Sequence, residues 1–85
     1  MDRYLMVLKI VRFLLKEKLE ATNGPNLDYN ELNHLNKVEN EIELRVEILK
    51  LPVSERPLID NARREEFSQL LRRLRSERRT DGSEV

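Results

Sequence analysis

Glu31 and His34 stand three residues apart. That is the Glu-x-x-His spacing with which helical bundles hold di-iron centres. Such a centre needs a second pair and further carboxylates from other helices. His34 is the only histidine and there is no cysteine, so one chain does not complete the set and only a homodimer would double it. The plain reading is a solvent-facing His on a helix rich in Glu and Asn. Ser54, Ser68, Ser76 and Ser83 have no His and acid at triad spacing. The two Gly do not form a phosphate-cradling loop. The expectation is a chain that is not an enzyme and holds neither metal nor cofactor. Zero cysteine also removes disulfide frameworks and leaves the redox compartment open, though it suits a reducing one. The expected location is cytoplasmic.

The second chemical signal is arginine. Residues 63–79 carry Arg63, Arg64, Arg72, Arg73, Arg75, Arg78 and Arg79 against Glu65, Glu66 and Glu77. Guanidinium forks match phosphate oxygens. Arginines also suit the last turns of a helix, where the dipole favours cations, and they pair with the Glu of a neighbouring helix. Both readings stand on the sequence. Residues 25–56 lean acidic, so the formal net charge of +0 conceals a polarised chain.

The elements that must position these groups are helical. Fifteen Leu against two Gly is a helix composition. Eighty-five residues make one domain and exclude the long catalytic scaffolds. Asn23-Gly24-Pro25 is a helix stop, and Pro52 and Pro57 bracket a second break. The domain is expected over 1–79, with a flexible polar tail over 80–85. Three helices follow, at roughly 2–22, 27–50 and 58–79.

The first helix is unusually apolar. Tyr4, Leu8, Val11, Leu15 and Leu19 form one stripe. Val7, Ile10 and Leu14 flank it, and Met6 and Phe13 extend it. Asp2, Lys9, Arg12, Lys16 and Glu20 leave only a narrow polar strip. An apolar arc beyond a half-turn calls for burial on more than one side. Two partner helices hardly cover it, which predicts self-association with this helix at the dimer centre. Arg3, Lys9 and Arg12 interrupt the run and argue against a membrane span.

The second helix opens on Asp28, with Glu31 three residues on as in a capping box. Leu32, Leu35, Val38, Ile42, Val46 and Leu49 form its stripe. Leu44, Ile48 and Leu51 lie opposite and are expected to pack on the third helix. That helix starts at a cap, Asp60, and buries Phe67, Leu70, Leu71 and Leu74.

This order of elements resembles the helical suppressors of RNA silencing encoded by small nodaviruses, which bind double-stranded RNA. The likeness rests on Leu35-Asn36-Lys37, then Arg45, then Leu49 and Leu51 before Pro52. It implies two long helices, a proline break and a shorter third helix, with two protomers forming a four-helix bundle. It also implies that Asn36, Lys37 and Arg45 face the RNA.

The expected fold is thus all-α: three helices, two long ones as an antiparallel hairpin, dimerising into a four-helix bundle with the third helices on its ends. The expected function is a non-enzymatic homodimer that binds double-stranded RNA without sequence specificity and shields it from nucleases. A-form RNA is read through phosphates and 2′-hydroxyls, which a rigid basic bundle can span. Arg12 and Lys16 would extend the surface. The alternative is a helical adaptor or inhibitor acting by protein–protein contact. Its apolar first-helix face, or Phe67, Leu70, Leu71 and Leu74, would then meet a partner helix.

Overall fold

A computed structural model describes residues 2–21 and 28–83, with side chains through residue 78. It contains three α-helices: α1 (Arg3–Ala21), α2 (Tyr29–Leu49) and α3 (Asn61–Ser83). A short 3-10 turn at Val53–Glu55 follows α2, and the described residues contain no strand. The expected stop at Asn23-Gly24-Pro25 lies outside the described residues.

Each helix opens on an aspartate. Asp28 accepts the backbone N–H groups of Asn30 and Glu31 at 3.0 and 3.2 Å. Asp60 accepts that of Ala62 at 2.9 Å. Asp2, read from the sequence only as part of the polar strip, accepts the Leu5 N–H at 2.8 Å. These carboxylates satisfy donors that have no partner inside the first turn, each contributing ~1 kcal/mol. The end of α2 has no glycine. Arg56 closes it instead, donating from Nε and Nη2 to the Leu51 and Leu49 carbonyls at 3.0 Å each.

The stripes of α1 and α3 form as the spacing predicts, and that of α2 is buried from Leu35 to Ile42, with Leu32 and Leu49 half-buried and Val46 exposed. Tyr4, Leu8, Val11, Leu14, Leu15 and Leu19 of α1 meet Leu35, Val38 and Ile42 of α2 and Phe67, Leu70, Leu71 and Leu74 of α3. Helix α1 is the spine. It packs along both neighbours, whereas α2 and α3 scarcely approach each other at the backbone. Asp2 reaches Arg45 while Lys18 reaches Glu31, so α1 and α2 run antiparallel. Glu41 meets Arg63 while Glu31 meets Arg73, so α2 and α3 also run antiparallel. The result is an up-down-up bundle of three helices within one chain.

Three expectations change. The third helix is not the short one: α3 has 23 residues against 19 for α1 and 21 for α2. It runs on past residue 79 to Ser83, because no proline stands there and Gly82 costs only about 1 kcal/mol. It also lies along α1 rather than across the ends of a bundle. Finally, Leu44 and Leu51 do not pack on α3 but remain exposed, since α3 has turned to the spine.

Candidate functional site

Two polar clusters tie the helices together, one near each end. At the first, Arg45 Nη2 sits 2.6 Å from Asp2 Oδ2, and Nε donates to Oδ1 at 3.3 Å. The Arg45 guanidinium lies 6.0 Å from the centre of the Tyr4 ring, at the outer limit of cation–π range. Tyr4 donates its hydroxyl to Glu41 at 2.7 Å, and Arg63 reaches the other Glu41 oxygen at 3.3 Å. Burial, with the Glu41 carboxylate beside it, pushes the Tyr4 phenol well above its ordinary range. The Arg45 hydrogen bond holds Asp2 below its usual value against the opposing effect of burial.

At the second cluster the centre is Glu31, which is only 2% exposed. Lys18 Nζ lies 2.6 Å from one carboxylate oxygen, and Arg73 donates to both oxygens at 3.1 and 2.9 Å. His34 Nδ1 completes the set at 2.9 Å. Burial alone would raise the Glu31 pKa. The hydrogen bonds from Arg73, Lys18 and His34 outweigh it and bring it to about 2. Lys18 and Arg73 both reach on to Glu77, at 2.9 and 3.0 Å. The pair read as Glu-x-x-His is therefore a saturated ionic joint between three helices. No group of three or more His, Cys, Asp or Glu among the described residues is placed to hold a metal ion.

These clusters absorb much of the expected RNA surface. Arg45 lies on the inner face of α2, its side chain 11% exposed, and a phosphate contact there would require breaking its pair with Asp2. Lys37 is exposed but bound to Glu66 at 2.9 Å. Asn36 is exposed beside it. Glu39, Glu43 and Glu47 share α2 with these groups, and their charge opposes a phosphate backbone. The arginine cluster divides in the same way. Arg63, Arg73 and Arg78 pair with Glu41, Glu31 and Glu17, and Arg64 bonds Asn61. Arg72 and Arg75 make no ion pair among the described residues. The Arg79 side chain lies outside them.

Helix α1 offers a different surface. Its side facing away from the core exposes Phe13 by 58% and Met6 by 43%. With Leu5, Ile10, Asp2 and Lys9 they line a shallow apolar depression. Lys9, Arg12 and Lys16 lie along one flank of it, and none makes an ion pair among the described residues. Of the five residues expected to form a binding surface, Arg12 and Lys16 come together here. Asn36 and Lys37 sit on another helix, and Arg45 is turned inward. Met6 and Phe13 were visible in the sequence as the overflow of the apolar stripe. Nothing in the spacing alone marked them as the part left uncovered.

The chain matches no protein-family description, no curated protein and no solved structure. No described helix is long and apolar enough to cross a membrane.

Proposed function

We propose that this chain is a non-enzymatic interaction module that works by protein–protein contact through the outer face of α1. One observation carries the reading. Met6 and Phe13 stand exposed on the outer side of α1 with the half-buried Ile10 between them, and no described element covers that strip. Scattered surface apolar residues need no explanation, but a contiguous strip with cations on its flank has the form of a helix-docking surface. An adaptor or inhibitor of this size would present that strip to another protein, with Lys9, Arg12 and Lys16 selecting carboxylates at the rim.

The test compares capture of cellular proteins by the wild-type chain, by Phe13→Asp and by Val53→Asp. Val53 is an exposed apolar residue outside α1. Partners lost with Phe13→Asp and kept with Val53→Asp support the reading. A partner set indifferent to Phe13→Asp refutes it.

A second reading keeps double-stranded RNA as the ligand, with sequestration by a dimer and suppression of silencing as the outcome. It is favoured by the unpaired row Lys9, Arg12 and Lys16, which replaces Lys37 and Arg45 as the phosphate-facing set. A gel shift with a short RNA duplex tests it. Arg12→Glu with Lys16→Glu should abolish the shift, and rising salt should weaken it steeply through counterion uptake. No shift with the wild type ends this reading.

A further inference from the structure

The outer face of α1 is ordered so that it complements itself. At 100° per residue, the exposed Met6 and Phe13 and the half-buried Ile10 run along one strip. Arg3 precedes the strip, and Lys16, Glu17 and Glu20 follow it, all exposed, while Asp2 is held by Arg45. Turning a second helix end for end about Ile10 brings Met6 against Phe13 of the second copy. The same register sets Arg3 against Glu17 of the second copy. A parallel register instead stacks Arg3 on Arg3, Lys16 on Lys16 and Glu17 on Glu17.

Resting on the reading of this face as a protein-contact surface, we propose that its occupant is a second copy of this chain, seated antiparallel with the two-fold axis beside Ile10. Such a contact is isologous, so every pairing occurs twice. Glu17 arrives with Arg78 already 3.4 Å away and receives Arg3 on its exposed side. Lys9 from each copy falls beside the axis on the opposite flank, where its long stem carries the charge to water. The assembly differs from a four-helix bundle. Each α1 keeps its own α2 and α3, and the two bundles meet through their spines. A helix of 19 residues is about 28 Å long and buries less than a standard interface, so the dimer is weak, on the order of 10 µM.

Sedimentation equilibrium of the full chain from ~1 to ~200 µM brackets that affinity. The wild type should shift from monomer to dimer across the range. Phe13→Asp should remain monomeric with its helical circular dichroism unchanged. Arg3→Glu and Glu17→Arg should each raise the dissociation constant about tenfold, because each breaks two symmetry-related pairs. The double variant should return to within about threefold of the wild type, because the charges are exchanged rather than lost. A wild type that stays monomeric overturns the proposal, as does a double variant as weak as either single one. Capture of a different protein by a monomeric chain, lost with Phe13→Asp, also overturns it but leaves the protein-contact reading of α1 intact. Insensitivity of both association and capture to Phe13→Asp removes the two together.

Discussion

Asp2 and Arg45 are joined by two hydrogen bonds across the start of α1 and the last turns of α2, at 2.6 and 3.3 Å. The same Asp2 oxygen that takes the longer of these also caps α1 through Leu5. One carboxylate thus starts a helix and fixes its neighbour. A charge reversal at Arg45 is therefore a structural perturbation before it is a test of any ligand.

Arg45→Glu places a carboxylate against Asp2 and near Glu41 with little access to water. The expected cost is about 3 kcal/mol, the range found when one member of a shielded pair is replaced. Arg45→Met keeps the volume and leaves Asp2 free to cap, so it should cost less. Urea unfolding followed by circular dichroism measures both. Equal stability of Arg45→Glu and the wild type would show that the pair contributes nothing.

Acid should unfold the chain in a defined window. Glu31 titrates near 2 in the folded bundle against an ordinary value of 4.5. Between those values the unfolded chain binds more protons than the folded one, so stability falls as pH falls. The contribution is fully present above about pH 4.5 and lost through about pH 2. Asp2 and Glu77 are also held below their ordinary values and act in the same direction. The integrated Glu31 contribution is of order 3 kcal/mol. Urea midpoints measured from neutral pH to about pH 2 should show the loss, and Glu31→Gln should flatten much of it.

The contrast between buried and exposed pairs supplies another test. Lys37 and Glu66 have side chains 61% and 47% exposed, so removing either should change stability by less than about 0.5 kcal/mol. Glu31→Gln puts a neutral amide at the buried centre of the cluster and leaves Lys18 and Arg73 to the more exposed Glu77. That change should cost several times more. Thermal melts of Lys37→Ala and Glu31→Gln at neutral pH compare them directly. Similar losses would show that the Glu31 cluster gains nothing from its burial.

Much of the bundle was legible because apolar spacing speaks directly. Tyr4, Leu8, Val11, Leu15 and Leu19 on α1, and Phe67, Leu70, Leu71 and Leu74 on α3, are all buried as their periodicity requires. Charged residues on an inner stripe were harder to read. Arg45 lies three residues after Ile42 and seven after Val38, and Glu31 lies four before Leu35, so both share the core-facing side of α2. The resemblance to the silencing suppressors made one look like an RNA contact, and the spacing from Asp28 made the other look like half of a capping box. Long-range pairing with Asp2, Lys18 and Arg73 decided their roles, and helical spacing within one element carries no information about that. The choice of α3's neighbour was hidden for the same reason. Leu44 and Leu51 offered a second apolar side on α2, but α3 lies along the broader apolar arc of α1 and leaves them exposed.

Helix α1 carries both the least and the most accessible large apolar groups of its own sequence, and they respond oppositely to charge. Leu8 is fully buried in the core that the three helices share. Leu8→Asp sets an unpaired carboxylate among Leu and Val side chains and also removes packing volume. The combined cost approaches or exceeds the whole stability of a small domain, about 5 kcal/mol, so the chain should lose its helical circular dichroism. Phe13→Asp removes a ring that already faces water, and its effect on folding should stay within about 1 kcal/mol. A change in association caused by Leu8→Asp therefore reports unfolding, and only Phe13→Asp isolates the outer face. Loss of helicity in Phe13→Asp would show that Phe13 supports the monomer, and the outer face of α1 would then no longer be free to serve a partner.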